Sequence, residues 1–160
     1  MDKRTFLATL RHDHTQWDAL LAQIASERMD QPGVAGDWSI KDIVAHVTWF
    51  EREMVGMMET HALVGSDLWN LPSDERNAAI YEQNRARDLD DVLAEAQQVF
   101  RQLVAALEQL SNVDFNDPAR FPGMPPDWTP WEVIAGNSYE HYGHHIPSIR
   151  AWLDQQDLTE

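Results

Sequence analysis

The spacing of its apolar residues constrains this chain more than any other feature. Phe6, Leu10, Trp17, Leu21 and Ile24 recur at the interval that places side chains on one face of a helix. They predict a first helix over about residues 3–27. Ile40, Ile43, Val44, Val47, Phe50 and Met54 mark a second, to about residue 63. Val92, Ala96, Val99, Leu103, Ala106 and Leu110 form a near-heptad stripe along a third, over about residues 89–110. The fourth opens at Thr129-Pro130-Trp131-Glu132 and runs to about residue 154. There Thr129 is placed to cap, Pro130 suits the first turn, and Glu132 closes a capping box. Strand signals are weak.

The connections carry their own signals. Pro32, Gly33 and Gly36 break the chain before the second helix, and Ser39 with Asp42 resembles a capping box. Gly65 to Pro72 is a connector, and Ser73, Asp74 and Glu75 open a short helix that ends near Arg87. Residues 112–128, with Pro118, Pro122, Gly123, Pro125 and Pro126, read as a long irregular loop. The predicted fold is all-α: one domain, residues 1–160, built as a four-helix bundle with a long crossover between helices 2 and 3.

Charge narrows the partners. The chain has 27 acidic and 12 basic residues, a net charge of −15. Such a surface repels phosphates, so neither nucleic acid nor an anionic membrane surface is expected as a partner. No apolar run approaches the ~20 residues that span a bilayer, and a cytoplasmic protein is expected. Cysteine is absent. Disulfides, thiolate nucleophiles and Cys-ligated metals are therefore excluded, and a metal site must use His, Asp or Glu.

Among seven histidines, His141 and His145 stand out. Four apart on a helix, they stack on one face, within the arc set by Ile134, Ile149 and Trp152. Two inward imidazoles need partners for their ring nitrogens, and one divalent metal ion serves both. His46, at the flank of the second helix's apolar stripe, offers a third ligand. His144 falls off the arc and is expected at the surface. Three His with open positions describe a catalytic rather than a closed structural site. No HExxH motif occurs, so any general base lies elsewhere. Glu53, two turns after His46, reads as a partner for a ligand imidazole, a general base or a surface acid. Asp13 falls within the apolar arc of the first helix, and reads as a group that orients a ligand or joins the site, or as a half-exposed acid. Gly143 and Pro147 predict a kink beyond the histidines. Trp128 and Trp131, beside the proline-rich loop, read as core anchors or as walls of a substrate pocket.

Two segments resemble a known family. Gly36-Asp37-Trp38-Ser39-Ile40-Lys41-Asp42-Ile43-Val44-Ala45-His46 is similar to the "W-S-x-x-D-x-x-x-H" entry into helix 2 of the DinB/YfiT-like superfamily of metal-dependent bacterial enzymes. Glu140-His141-Tyr142-Gly143-His144-His145-Ile146 resembles its "H-x-x-H-H" run. The resemblance extends nearly end to end. It implies a four-helix bundle with a crossover after helix 2, and a triad of His46, His141 and His145 holding zinc or nickel. It also implies thiol-cofactor-dependent transferases and isomerases as relatives, and pairing into homodimers, which the many aromatic residues also suggest. The segments around Asn77 to Arg85 and Tyr142 to Trp152 resemble a second branch, the colibactin self-protection group, which is metal-free and acts on reactive cyclopropanes.

The expected function is a metal-dependent enzyme acting on a small electrophilic substrate by thiol transfer, isomerisation or hydrolysis. Glu53 and Asp13 are the candidate proton-handling groups. A low-molecular-weight thiol is a candidate cofactor, because no protein cysteine competes for the metal. Arg52, Arg85 and Arg87 are the candidates for a basic pocket mouth that would admit an anionic thiol. The alternatives are a metal-free self-protection protein and a small-molecule-binding module.

Overall fold

The computed structural model describes residues 1–158, and among them helices are the only regular elements. The long helices are α1 (Lys3–Leu21), α2 (Ile40–Thr60), α4 (Leu89–Gln109) and α7 (Tyr139–Asp157). Shorter helices are α3 (Ser73–Asn84), α5 (Asn112–Asn116) and α6 (Pro130–Gly136). The all-helical bundle matches the apolar periodicity. α2 packs most extensively on α4 and also meets α3 and α7, while α1 packs on α7 and α4. No helix among the described residues is long and apolar enough to cross a membrane.

Three expectations about the elements change. The first helix stops at Leu21, and a separate 3-10 turn follows at Ser26–Arg28. The loop at 112–128 holds α5, whose Ser111–Asp114 capping box encodes it, and a 3-10 turn at Pro118–Arg120. The fourth predicted helix is two helices. It breaks at Asn137–Ser138, before the histidines, and α7 then runs unbroken through Pro147. Ser138 is buried and its hydroxyl donates to the Ile134 carbonyl at 2.7 Å, so the break satisfies its own polar group. Thr129 makes no side-chain cap.

The buried side chains fall into two main clusters. One gathers Phe6, Leu10, Met57, Leu103, Phe115 and Ile134. The other gathers Trp17, Ile40, Ile43, Val92, Tyr142 and Ile149. A small cluster of Trp49 and Phe50 from α2 with Ile80 from α3, against which Trp69 packs, lies beside His46.

Candidate metal centre

The site begins with a turn. Gly36 adopts φ +59°, a left-handed conformation that suits glycine, and Val34 N–H donates to the Trp38 carbonyl at 2.9 Å. This tight turn delivers Ser39 to the start of α2. The Ser39 hydroxyl accepts from Asp42 N–H at 3.2 Å and the Asp42 carboxylate accepts from Ser39 N–H at 2.9 Å, a full capping box despite the unusual Asp. The turn also sets the Trp38 ring 5.0 Å from that of His46.

From α2, His46 meets the two histidines of α7. His46 Nε2 lies 3.1 Å from His141 Nε2, and His145 Nε2 lies 3.0 Å from the same atom. Imidazole nitrogens on one tetrahedral zinc stand ~3.3 Å apart. The three ligand atoms all fall within 4.8 Å of one another. His46 and His141 are buried, His145 is half-buried, and His144 is exposed. Burial is the main cause that depresses all three: His46 to about 3, His141 to about 3 and His145 to about 4, with neighbouring imidazoles adding to it. At neutral pH each is uncharged and has a lone pair to give.

The donor set fits a divalent cation. His46 Nδ1 and His141 Nδ1 are buried without a hydrogen-bond partner, so no polar group of the protein fixes these rings from that side. When Nδ1 carries the proton, three Nε2 lone pairs aim at one small space, an arrangement that repels itself unless a positive charge sits between them.

Phe50, one turn after His46, contacts His46 and His141, with centroids 4.9 and 4.8 Å away, and reaches Trp69 at 5.5 Å. On another side Trp38 stacks on Tyr81 of α3. These aromatic walls were not singled out from the sequence, although Phe50 sits at i+4 from His46 and so shares its face. Trp69 and the exposed Trp128 line a cavity of about 770 Å³, together with Asp67, Asp127 and Glu132. Phe50 and Trp69 form the aromatic link between that cavity and the triad. No lysine or arginine lines it.

Among the described residues, neither candidate acid has a hydrogen bond to the three imidazoles. Glu53 Oε2 accepts from Trp69 indole N–H at 2.7 Å and from Ser66 N–H at 2.8 Å. It pins the connector that carries Trp69. Gly65 leaves room for this contact, because a Cβ would stand 2.5 Å from Glu53 Oε2 and 2.7 Å from the indole and would force the pair to shift. Asp13 is half-buried on α1, and its charge is among the causes that raise Tyr139 and Tyr142 of α7. The three candidate mouth arginines are paired with acids, Arg52 and Arg87 with Glu95 and Arg85 with Glu82 at 3.2 Å, and none of them lines the 770 Å³ cavity.

An all-helical bundle in which two helices converge three neutral imidazoles defines a class of His-triad bundle proteins. The chain belongs to the DinB superfamily, whose profile matches residues 9–149. It is 25% identical over 135 residues to a Bacillus licheniformis protein named "Putative metal-dependent hydrolase", covering 81% of this chain and 73% of that one. Its fold is similar to that of three solved structures. One is a Streptococcus pneumoniae protein (TM-score 0.82, 15% identity, 96% of this chain and 91% of that one). Another is the Sibling Lethal Factor Precursor DfsB (0.80, 16%, 98% and 97%). The third is an uncharacterised protein of Escherichia coli UTI89 (0.77, 16%, 98% and 95%).

Proposed function

We propose that the chain is a metal-dependent hydrolase in which His46, His141 and His145 hold one divalent ion, zinc or nickel, and that it acts on a small electrophilic molecule. The observation that carries this reading is the convergence of three uncharged Nε2 atoms from two helices, two of them on buried rings and the third on a half-buried one. When bound, such an ion supplies Lewis acidity: it polarises an electrophile and lowers the pKa of a ligand beside it. The chain's own residues do the rest. The two helices set the three nitrogens. Trp38 and Phe50 exclude water from two sides. Glu53 holds Trp69 at the cavity wall.

The name of the Bacillus relative supports hydrolysis over transfer or isomerisation. So does the cavity's charge. Asp67, Asp127 and Glu132 face it without a base, which disfavours an anionic thiol and favours a neutral or cationic substrate. The surface charge of −15 acts in the same direction, and a cytoplasmic protein without nucleic-acid partners remains part of the proposal.

Metal analysis of protein purified without a His-tag or nickel column tests this reading. One equivalent of ion should be found. His141→Ala should abolish stoichiometric binding and His144→Ala should leave it nearly intact. Equal losses would overturn the ligand assignment, and an ion-free wild-type protein that takes up none would favour the metal-free self-protection alternative.

A further inference from the structure

Five residues after His46, about 140° around α2, a second acid faces a different part of the molecule. Glu51 is only 3% exposed, and its carboxyl accepts a hydrogen bond from the Tyr142 hydroxyl of α7. It lines a separate cavity of about 320 Å³ between α1, α2, α4 and α7. Asp18 and His14 of α1 face the same space, with His14 Nδ1 3.4 Å from an Asp18 carboxylate oxygen. The His14 ring stacks on Phe100 at 3.4 Å, and burial keeps it below its ordinary pKa, so it brings little positive charge. Gln97 donates to Asp18 at 3.4 Å. Apart from Thr48, whose hydroxyl donates to the Val44 carbonyl at 2.8 Å, the remaining lining is apolar, Val44 and Leu93 among it, and includes Trp17, stacked on Tyr142 at 5.4 Å. No lysine or arginine contributes.

A carboxyl taken this far from water is costly unless a cation or several donors meet it. Burial pushes Glu51 up to about 8 against the opposing hydrogen bond from Tyr142, and the nearby Asp18 adds to the rise, so at neutral pH the carboxyl gives up its proton fully only when a cation sits beside it. The chain has 12 basic residues and places none here. A leucine or methionine would fill the same volume without that cost. An acid maintained in a cavity with apolar and aromatic walls suits a positively charged visitor. Its charge would meet Glu51 and Asp18, its hydrocarbon body would meet the apolar walls, and the Trp17 and Tyr142 rings would add cation–π attraction.

We propose that this cavity is a second ligand site, distinct from the His triad, that binds a small organic ammonium ion with an apolar body, its charged nitrogen held by Glu51 and Asp18. The site stands on residues the metal centre does not use, so it survives or fails independently of the hydrolase reading.

Indole resonances of the full-length ¹⁵N-labelled protein test it, with the Trp17 signal assigned through Trp17→Phe. Phenethylammonium chloride is the probe and 2-phenylethanol its uncharged counterpart. Saturable movement of the Trp17 indole is expected with the ammonium ion, and binding of the alcohol should be weaker by roughly tenfold or more. Glu51→Gln, whose amide oxygen can still accept from Tyr142, should weaken the ammonium ion by a similar factor and leave metal uptake unchanged. Asp18→Asn, at a half-exposed position, should weaken it by a smaller factor and serves if Glu51→Gln does not fold. Equal affinity for alcohol and ammonium, unchanged affinity in the folded variants, absence of any Trp17 shift at millimolar probe, or shifts confined to Trp69 and Trp128 would each overturn the proposal.

Discussion

Glu53 shows how a side chain placed by helical register can still be open in role. Its helical register placed it on the flank of α2 near His46, and that is where a proton-handling acid would be sought. Its carboxylate is instead engaged by Ser66 N–H and the Trp69 indole. Register along a helix says nothing about a connector folding over that helix, because the connector's path depends on contacts distant in sequence. The roles separate experimentally. Glu53→Gln keeps an acceptor oxygen, so hydrolytic turnover and thermal stability should stay near wild type if Glu53 is a clamp. Glu53→Ala removes the acceptor for two donors and should cost about 2 kcal/mol in denaturant unfolding. A Gln variant that folds normally, holds its metal and has lost turnover would identify a general base. The histidines were legible for the opposite reason: an i,i+4 pair on an apolar face follows from helix geometry alone.

The elements were legible where periodicity was long and less so where short polar signals decide. α1, α2 and α4 begin where their stripes and caps place them. The break at Asn137–Ser138 was hidden, since the inward spacing continues across it from Ile134 to His141 while the backbone departs at Asn137, with φ −106° and ψ 11°, and at Ser138, with φ −136° and ψ −107°. α5 was hidden by the prolines that follow it. Its stability is tied to Asp114, which accepts from Ser111 N–H, the Ser111 hydroxyl and Arg120 Nε, all at 2.8 Å. The Ser111 amide, then Arg120, holds the folded-state carboxyl down at about 2, below its ordinary value of 3.8. A depressed acid stabilises the fold above its unfolded pKa, and that contribution is lost as the pH falls from about 4 through about 2. Asp114→Asn should therefore lower stability at pH 7 and flatten the acid limb of a pH–stability curve. Pro147 gives the reverse case. It lies exposed inside α7 and withholds a hydrogen bond from the Gly143 carbonyl. Pro147→Ala should raise the Tm, with a gain bounded by the ~3 kcal/mol helix cost of proline. A lower Tm in calorimetry would mean that the proline shapes α7 to its neighbours.

At the scale of the molecule, the aromatic load that suggested a homodimer is largely absorbed within one chain. Trp17, Trp49 and Trp152 are buried, Trp38, Trp69 and Trp131 are half-buried, and Trp128 alone of the tryptophans is exposed, at 45%. Light scattering at tens of micromolar decides whether the chain pairs. The triad has a further meaning for a chain without cysteine. His46 and His141 are separated by 95 positions, so an ion gripping both would close most of the polypeptide into a ring. A disulfide around a loop of that length restricts the unfolded chain by about 4–5 kcal/mol in the entropic account. A reversible cross-link of similar reach would make the fold's endurance a function of metal supply. Chelation should then lower the Tm by roughly 10 °C, at about 2–4 °C per kcal/mol for a chain of this size, and refilling should restore it. A protein of this kind would report metal starvation by coming apart before it ran out of substrate.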